Sequence, residues 1–301
     1  MERSTAVVNA LSFDIEDWFH MVGIAGVDDP ATWDALPSIL ERRTMEILDT
    51  LEEKGVRASF FVVGWIADKY PHVIKDIADR GHEISTHSYW HRTVNTLTPE
   101  EFAADLDRSI EAIGTASGVR PRGFRAPSFS ITPGSEWAFD VLLDAGLVYD
   151  ASLFPAPRAH GGYPCPLDRH MFTAPSGRKI PELPMSITRI LGQRIGFSGG
   201  GYLRLLPEPL IRQSIKRMNA EGRPAVVYLH PADFATDRPH VPMSMARKFK
   251  TRVGLASTMS KFRALLDNFA FDTCENVLLL AREAKAPRSF REAAPQVLVK
   301  V

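Results

Sequence analysis

Cysteine is scarce in this sequence, and long apolar runs are missing altogether. Of 301 residues only Cys165 and Cys274 are cysteines, and neither belongs to a CxxC pair. That excludes a disulfide framework and a thiolate metal cluster, so any metal would have to be held by histidines and carboxylates. No run of about 18 apolar residues occurs, so no segment reads as a membrane span. Met1 to Ala10 lacks the basic stretch and apolar core of a secretion signal, and the expectation is a soluble, cytoplasmic protein. Net charge is absent too: 36 Lys and Arg balance 36 Asp and Glu. The balance gives no electrostatic reason to expect nucleic acid as a partner or insertion into a membrane.

What is present is the make-up of a globular protein, 45% hydrophobic and 24% charged. Short apolar runs alternate with amphipathic ones, the pattern of strands joined by helices in a parallel sheet. Ala6 to Phe13, Ala58 to Val63, Glu83 to Ser85, Arg122 to Arg125, Leu147 to Tyr149, Lys179 to Leu183 and Ala225 to Leu229 read as strands. Ser38 to Lys54 has helical apolar spacing and stops at Gly55, a second helix over Ile66 to Arg80 stops at Gly81, and Thr98-Pro99 supplies an N-cap and first turn for a third. The fold class expected is α/β, a distorted (β/α) barrel of about seven strands. Residues 1–236 would form the barrel and 237–301 a C-terminal helical extension packed on it, with a short strand and a helix over Phe269 to Ala284. The Pro- and Gly-rich stretch Ala156 to Pro175 reads as loops.

Four local patterns carry chemistry. His87-Ser88-Tyr89-Trp90-His91 sets two imidazoles at i and i+4, which on one helical turn would share a face and could bind one metal ion. His82-Glu83 does not complete a zincin motif with His87, because that motif needs HExxH on a helix, so His82 reads as structural. Asp14-Ile15-Glu16-Asp17 puts three carboxylates at a strand end, where a cation would relieve their repulsion. Arg125-Ala126-Pro127 suits the fixing of a carboxylate by a guanidinium fork. His230, directly after the strand Ala225 to Leu229, suits a general acid at the mouth of a barrel.

Acidic strand end, HxxxH, RxP and strand-His, in that order, resemble the polysaccharide deacetylase (NodB-homology, carbohydrate esterase) family. Asp150-Ala151-Ser152 looks like its DxS motif. Gly199-Gly200-Gly201-Tyr202-Leu203-Arg204-Leu205-Leu206-Pro207 and the tail Arg247 to Leu278 look like a subgroup associated with bacterial exopolysaccharide gene clusters. The resemblance implies Asp14 as catalytic base, Arg125 as the residue that orients it and His230 as general acid. It implies His87 and His91 as metal ligands, with the third from the acidic strand end: alternation puts Glu16 on the side of Asp14, and Asp17 serves if the strand has already ended. The ion implied is one divalent metal, zinc first, with cobalt, nickel or manganese as alternatives.

Trp18, Trp90, Ser128, Asp150 and Ser152 are the candidate substrate contacts, with a backbone N–H near Ser128 as an oxyanion donor. Where many members have an Asp that tunes the acid histidine, this chain has Leu153, which leaves the tuning of His230 open. The implied reaction is hydrolysis of an acetamide on an N-acetylated carbohydrate to amine and acetate. Two other readings are an allantoinase-like amide hydrolase and a silent carbohydrate-binding barrel. A homo-oligomer fits any of these. The triple glycine lacks the Lys and Thr of a P-loop and reads as a turn.

Overall fold

A computed structural model describes residues 7–24, 26–27, 29–158, 161–190 and 192–285. Ala6 and residues 286–301 of the expected extension lie outside these. The strands are β1 (Asn9–Ile15), β2 (Ser59–Val62), β3 (Glu83–Thr86), β4 (Gly123–Phe124), β5 (Tyr149–Asp150), β6 (His170–Thr173), β7 (Lys179–Glu182), β8 (Ile187–Ile190), β9 (Gln193–Gly196), β10 (Val226–Leu229) and β11 (Phe271–Asp272). The α-helices are α1 (Leu40–Lys54), α2 (Gly64–Lys69), α3 (Pro71–Asp79), α4 (Pro99–Ser117), α5 (Trp137–Asp144), α6 (Gly200–Leu205), α7 (Glu208–Ala220), α8 (Met245–Arg252), α9 (Leu255–Asn268) and α10 (Cys274–Lys285).

One curled sheet runs β10-β1-β2-β3-β4-β5-β7-β6, parallel throughout except for the last pair. β11 pairs with the start of β1. Because β10 already occupies one side of β1, β11 lies on the same side as β2. The C-terminal segment therefore supplies a strand to the main sheet as well as the expected helix. At the far end Ser186, just past β7, accepts the Val226 N–H of β10 on its side-chain oxygen at 2.7 Å, so the sheet curls most of the way towards closure.

Strand alternation divides the core in two. Leu11, Phe13, Ile15, Phe60, Val62, Val227 and Leu229 point outward into a layer shared with the helices. Ala10, Phe61, Tyr149, Val226 and Tyr228 point inward and fill the barrel. The same inward register carries Ser12 and Asp14 on β1, so the carboxylate near the C-terminal end of β1 faces one mouth.

Helix boundaries follow their signals. Thr98 accepts the Glu101 N–H while the Glu101 carboxylate accepts the Thr98 N–H, a reciprocal cap on α4. α1 ends at Gly55 in the left-handed region. The single helix expected over 66–80 is instead two, α2 and α3, divided at Tyr70 because Pro71 opens a new first turn. Two features depart from the sequence reading. β6 forms inside the stretch expected as loops, as an edge partner of β7, and β8 and β9 form a separate antiparallel pair.

Candidate metal and catalytic site

β1 ends in a tight reversal in which the Glu16 N–H reaches the Asp14 carbonyl at 3.1 Å. Asp14 and Glu16 stay on one side of the chain and Asp17 turns away. The Asp17 carboxylate accepts the Trp18 N–H at 2.8 Å and the Ser38 hydroxyl at 2.5 Å, capping a short 3-10 turn at Trp18–His20. Its backbone N–H goes to Nδ1 of His20. The alternative of Asp17 as a ligand is thereby corrected: both its oxygens are committed to the chain.

Glu16 meets the two histidines of the HxxxH segment. Its Oε2 lies 2.5 Å from Nε2 of His91 and 3.9 Å from Nε2 of His87, and ligand atoms of all three residues lie within 4.8 Å of one another. Burial works to raise the Glu16 pKa, but His91, with His230 and His87 behind it, holds the carboxyl well below the ordinary range. Burial pushes the His87 imidazole down to about 4. His87 pairs through Nδ1 with the Arg125 carbonyl at 2.6 Å, which fixes the tautomer that leaves the Nε2 lone pair for a cation. Two imidazole nitrogens and one carboxylate oxygen on one centre are a donor set suited to a divalent transition metal.

The histidines converge for a different reason from the one their spacing suggested. Residues 87–91 are not helical, and Ser88 (φ 65°) and His91 (φ 53°) sit in the left-handed region. The loop is held from outside. Asp105 on α4 accepts the Tyr89 and Trp90 N–H groups at 2.7 and 3.2 Å, and the Gly64 N–H donates to the Ser88 carbonyl at 2.9 Å. A Cβ on Gly64 would come within 2.6 Å of the Tyr89 ring and 2.9 Å of the Ser109 Cα, so only glycine lets the segments meet this closely. Ser128 (φ 56°) and Phe129 (φ 57°) are the other two non-glycine residues with positive φ among the described residues. All four left-handed residues thus border the site.

Arg125 crosses the barrel interior fully buried. Its Nη1 donates to Oδ1 of Asp14 at 2.6 Å and to the Ser12 hydroxyl at 2.9 Å, and Nε donates to the Ala151 carbonyl at 3.2 Å. The guanidinium lies 4.0 Å over the Phe61 ring. Asp14 therefore keeps Oδ2 for chemistry, and that oxygen lies 3.7 Å from Nε2 of His230.

His230 closes the group from β10, with Nε2 also 3.8 Å from Oε1 of Glu16. A residue that sequence reasoning missed orients it: Oδ2 of Asp233 accepts both the His230 backbone N–H at 2.9 Å and Nδ1–H at 2.8 Å. Burial would lower the His230 pKa, but Asp233, with Glu16 and Asp14, raises it to about 9. Leu153, at the position where a tuning carboxylate was sought, is buried in the outer core. The clue was His230-Pro231-Ala232-Asp233 itself, since a carboxylate three residues after a strand-end residue is a capping pattern.

The remaining candidates divide. Asp150 and Ser152 are buried and bonded to each other, and the Ser152 hydroxyl accepts the Ala126 N–H at 2.8 Å. They pin the strand end that carries Arg125 instead of meeting a substrate, which corrects the reading of both as contacts. Beside Asp150, burial and then Asp150 itself push the Glu182 carboxyl well above its ordinary value. Trp18 is also corrected: it is 2% exposed, its indole N–H is given to the Pro37 carbonyl, and it belongs to the core. Trp90 is half-buried, packed near Trp33 and Tyr89. Ser128 is half-buried, and its backbone N–H has no acceptor among the described residues. The triple glycine is not the turn expected: Gly199 is extended and bridged to Tyr228, where a Cβ would lie 2.0 Å from the ring, and Gly200 and Gly201 open α6.

The model of the polysaccharide deacetylase family matches residues 31–142, which include His87, His91 and Arg125. A second model, for a domain of unknown function (DUF3473), matches 151–279. Over 96 residues the chain is 32% identical to the peptidoglycan-N-acetylglucosamine deacetylase of Bacillus cereus, which is 32% of this chain and 35% of that one. Over 81 residues it is 37% identical to chitin deacetylase 1 of Cryptococcus neoformans, 27% of this chain and 17% of that one. The chain thus spans about a third or less of the length of these relatives. Two solved structures share its fold along nearly the whole length. One is a Mycobacterium smegmatis protein provisionally assigned as a polysaccharide deacetylase, with TM-score 0.64, 22% identity, and 100% and 97% of the two chains covered. The other is the Puue allantoinase, with TM-score 0.62, 13% identity, and 94% and 93% covered. Residues 31–142, which carry the HxxxH and RxP motifs, are thus similar to the polysaccharide deacetylase family, and the fold is shared with the Mycobacterium smegmatis protein along the whole chain.

Proposed function

We propose that the protein is a metal-dependent N-deacetylase that hydrolyses the acetamide of an N-acetylated sugar polymer to a free amine and acetate. The observation that carries the reading is the convergence of Glu16, His87 and His91 with a carboxylate, Asp14, and an imidazole, His230, held beside it. Glu16, His87 and His91 would hold the ion, zinc first among divalent candidates. When bound, such an ion supplies Lewis-acid chemistry and makes hydroxide available near neutral pH.

The chain's own groups do the rest. Oδ2 of Asp14 takes a proton from the attacking water, because Oδ1 is occupied by Arg125. The Ser128 N–H is the available backbone donor for the oxygen that gains charge when the acetyl carbon becomes tetrahedral, a contribution typically of ~3 kcal/mol. Nε2 of His230 gives its proton to the departing nitrogen as the C–N bond breaks, since an amine anion is too poor a leaving group to go alone. Trp90 is the aromatic candidate for a sugar face.

The test is acetate release from N-acetylglucosamine oligomers by the metal-loaded protein, with a cyclic ureide as the competing substrate. His87→Ala and His91→Ala should abolish both metal binding and acetate release. Full activity in the doubly substituted, metal-free protein would refute the assignment, and turnover of the ureide alone would favour the allantoinase-like reading.

A further inference from the structure

Arg204, on α6, lies far from every catalytic motif in the sequence and is only 7% exposed in the fold. Its Nε lies 2.7 Å from Oδ1 of Asp233, the carboxylate oxygen that His230 does not use. The Nε–H finds no acceptor along its own axis, so this contact is an ion pair more than an aligned hydrogen bond. Both terminal nitrogens donate on the other side. Nη1 donates to the Thr251 and Val253 carbonyls at 3.0 and 2.9 Å, and Nη2 to the Lys250 carbonyl at 3.0 Å. Those carbonyls belong to the C-terminal end of α8, where backbone acceptors have no partner within the helix. The next turn is pressed onto Arg204 as well, since a Cβ on Gly254 (φ +71°) would lie 2.1 Å from the Arg204 carbonyl.

We propose that Arg204 is a positioning residue for the reaction, clamping Asp233 between α8 and His230 so that the imidazole presents Nε2 to the scissile nitrogen. This rests on the deacetylase reading. A buried carboxylate bonded through one oxygen alone can rotate about its Cβ–Cγ bond, and the ring it orients would turn with it. Arg204 occupies the second oxygen and removes that freedom. Only a guanidinium can do so while also serving three carbonyls, because its donors point in a fixed planar fork that a lysine ammonium cannot reproduce. His230 matters only where the leaving group needs a proton. When an acetamide is cleaved, the C–N electron pair goes to nitrogen, which takes the Nε2 proton. When an aryl acetate is cleaved, the C–O pair leaves as a phenolate and no proton is needed.

The experiment compares these two reactions in the metal-loaded wild type, Arg204→Lys and Asp233→Asn, with metal content measured in each. Both variants should lose acetamide turnover about 100-fold or more, in kcat and not in KM. Aryl acetate turnover should fall by less than about threefold, at unchanged metal content. A parallel loss of both reactions in Asp233→Asn, or wild-type acetamide turnover in either variant, overturns the proposal. A wild type that cleaves neither substrate instead sinks the deacetylase reading on which it stands.

Discussion

Replacing Asp14 by Asn separates two roles that the structure assigns to one side chain. The carboxylate is 2% exposed, and Arg125, its partner at 2.6 Å, is wholly buried. Removing one charge of a buried pair leaves the other uncompensated, which costs roughly 3–5 kcal/mol on truncation. Asn keeps an oxygen for Nη1 of Arg125, and the Ser12 hydroxyl and Ala151 carbonyl remain as acceptors. The stability loss should therefore fall below that range and be measurable as a lower urea midpoint in a protein that still folds. Catalysis should suffer more. An amide cannot take the water proton, and loss of a general base typically costs ~10²–10⁴ in rate. Glu16, His87 and His91 are untouched, so metal content by elemental analysis should stay at the wild-type level. The assay is acetate release from an N-acetylglucosamine oligomer at saturating metal. Near-normal turnover would move the base elsewhere, and loss of the metal together with activity would show that Asp14 had been assigned the wrong role.

Two further outcomes follow from the groups around the site. Asp105→Ala should free the Tyr89 and Trp90 N–H groups and loosen the left-handed loop that carries His91. Metal affinity by titration calorimetry should drop ~10–100-fold, as for other losses of ligand-orienting contacts, and unchanged affinity would remove Asp105 from the site's support. In chelator-treated protein the His230 ring should titrate near pH 9 by NMR, above the ordinary imidazole value of about 6.5. A pKa raised on folding gives stability that is complete below about 6.5 and is lost as pH rises through about 9. Asp233→Asn should bring the titration down, and a His230 that titrates near 6.5 in the wild type would contradict the pairing.

The sequence was informative where function sits at the end of a strand. Asp14, Glu16, His87, Arg125 and His230 could be found because each closes or directly follows a strand, and alternation alone chose Glu16 over Asp17. Long helices with caps were legible for a similar reason, since Thr98-Pro99 and Gly55 are local signals with local causes. β6 was not, because an edge strand inside a Pro- and Gly-rich stretch owes its conformation to the β7 ladder and not to its own composition. The buried tie between Asp150 and Ser152 was hidden too: nothing in a DxS spacing says whether its polar atoms face a substrate or the chain.

The HxxxH segment shows why the supporting groups escaped notice while the ligands did not. Spacing i to i+4 was read as one face of a helix, yet His87 lies at the end of β3's run and His91 in the left-handed region beyond it. A non-glycine residue in that region carries a strain of order 1–3 kcal/mol, which the surroundings must hold. Here they do so with groups far away in sequence: Asp105 from α4, Gly64 from the start of α2, and the Arg125 carbonyl that orients His87. His230 is governed in the same way, by an Asp three residues on and an arginine on another helix. In each case the reacting residue stands at a strand end, where periodicity finds it. What gives it direction arrives through tertiary contacts, and only the folded chain brings those into view.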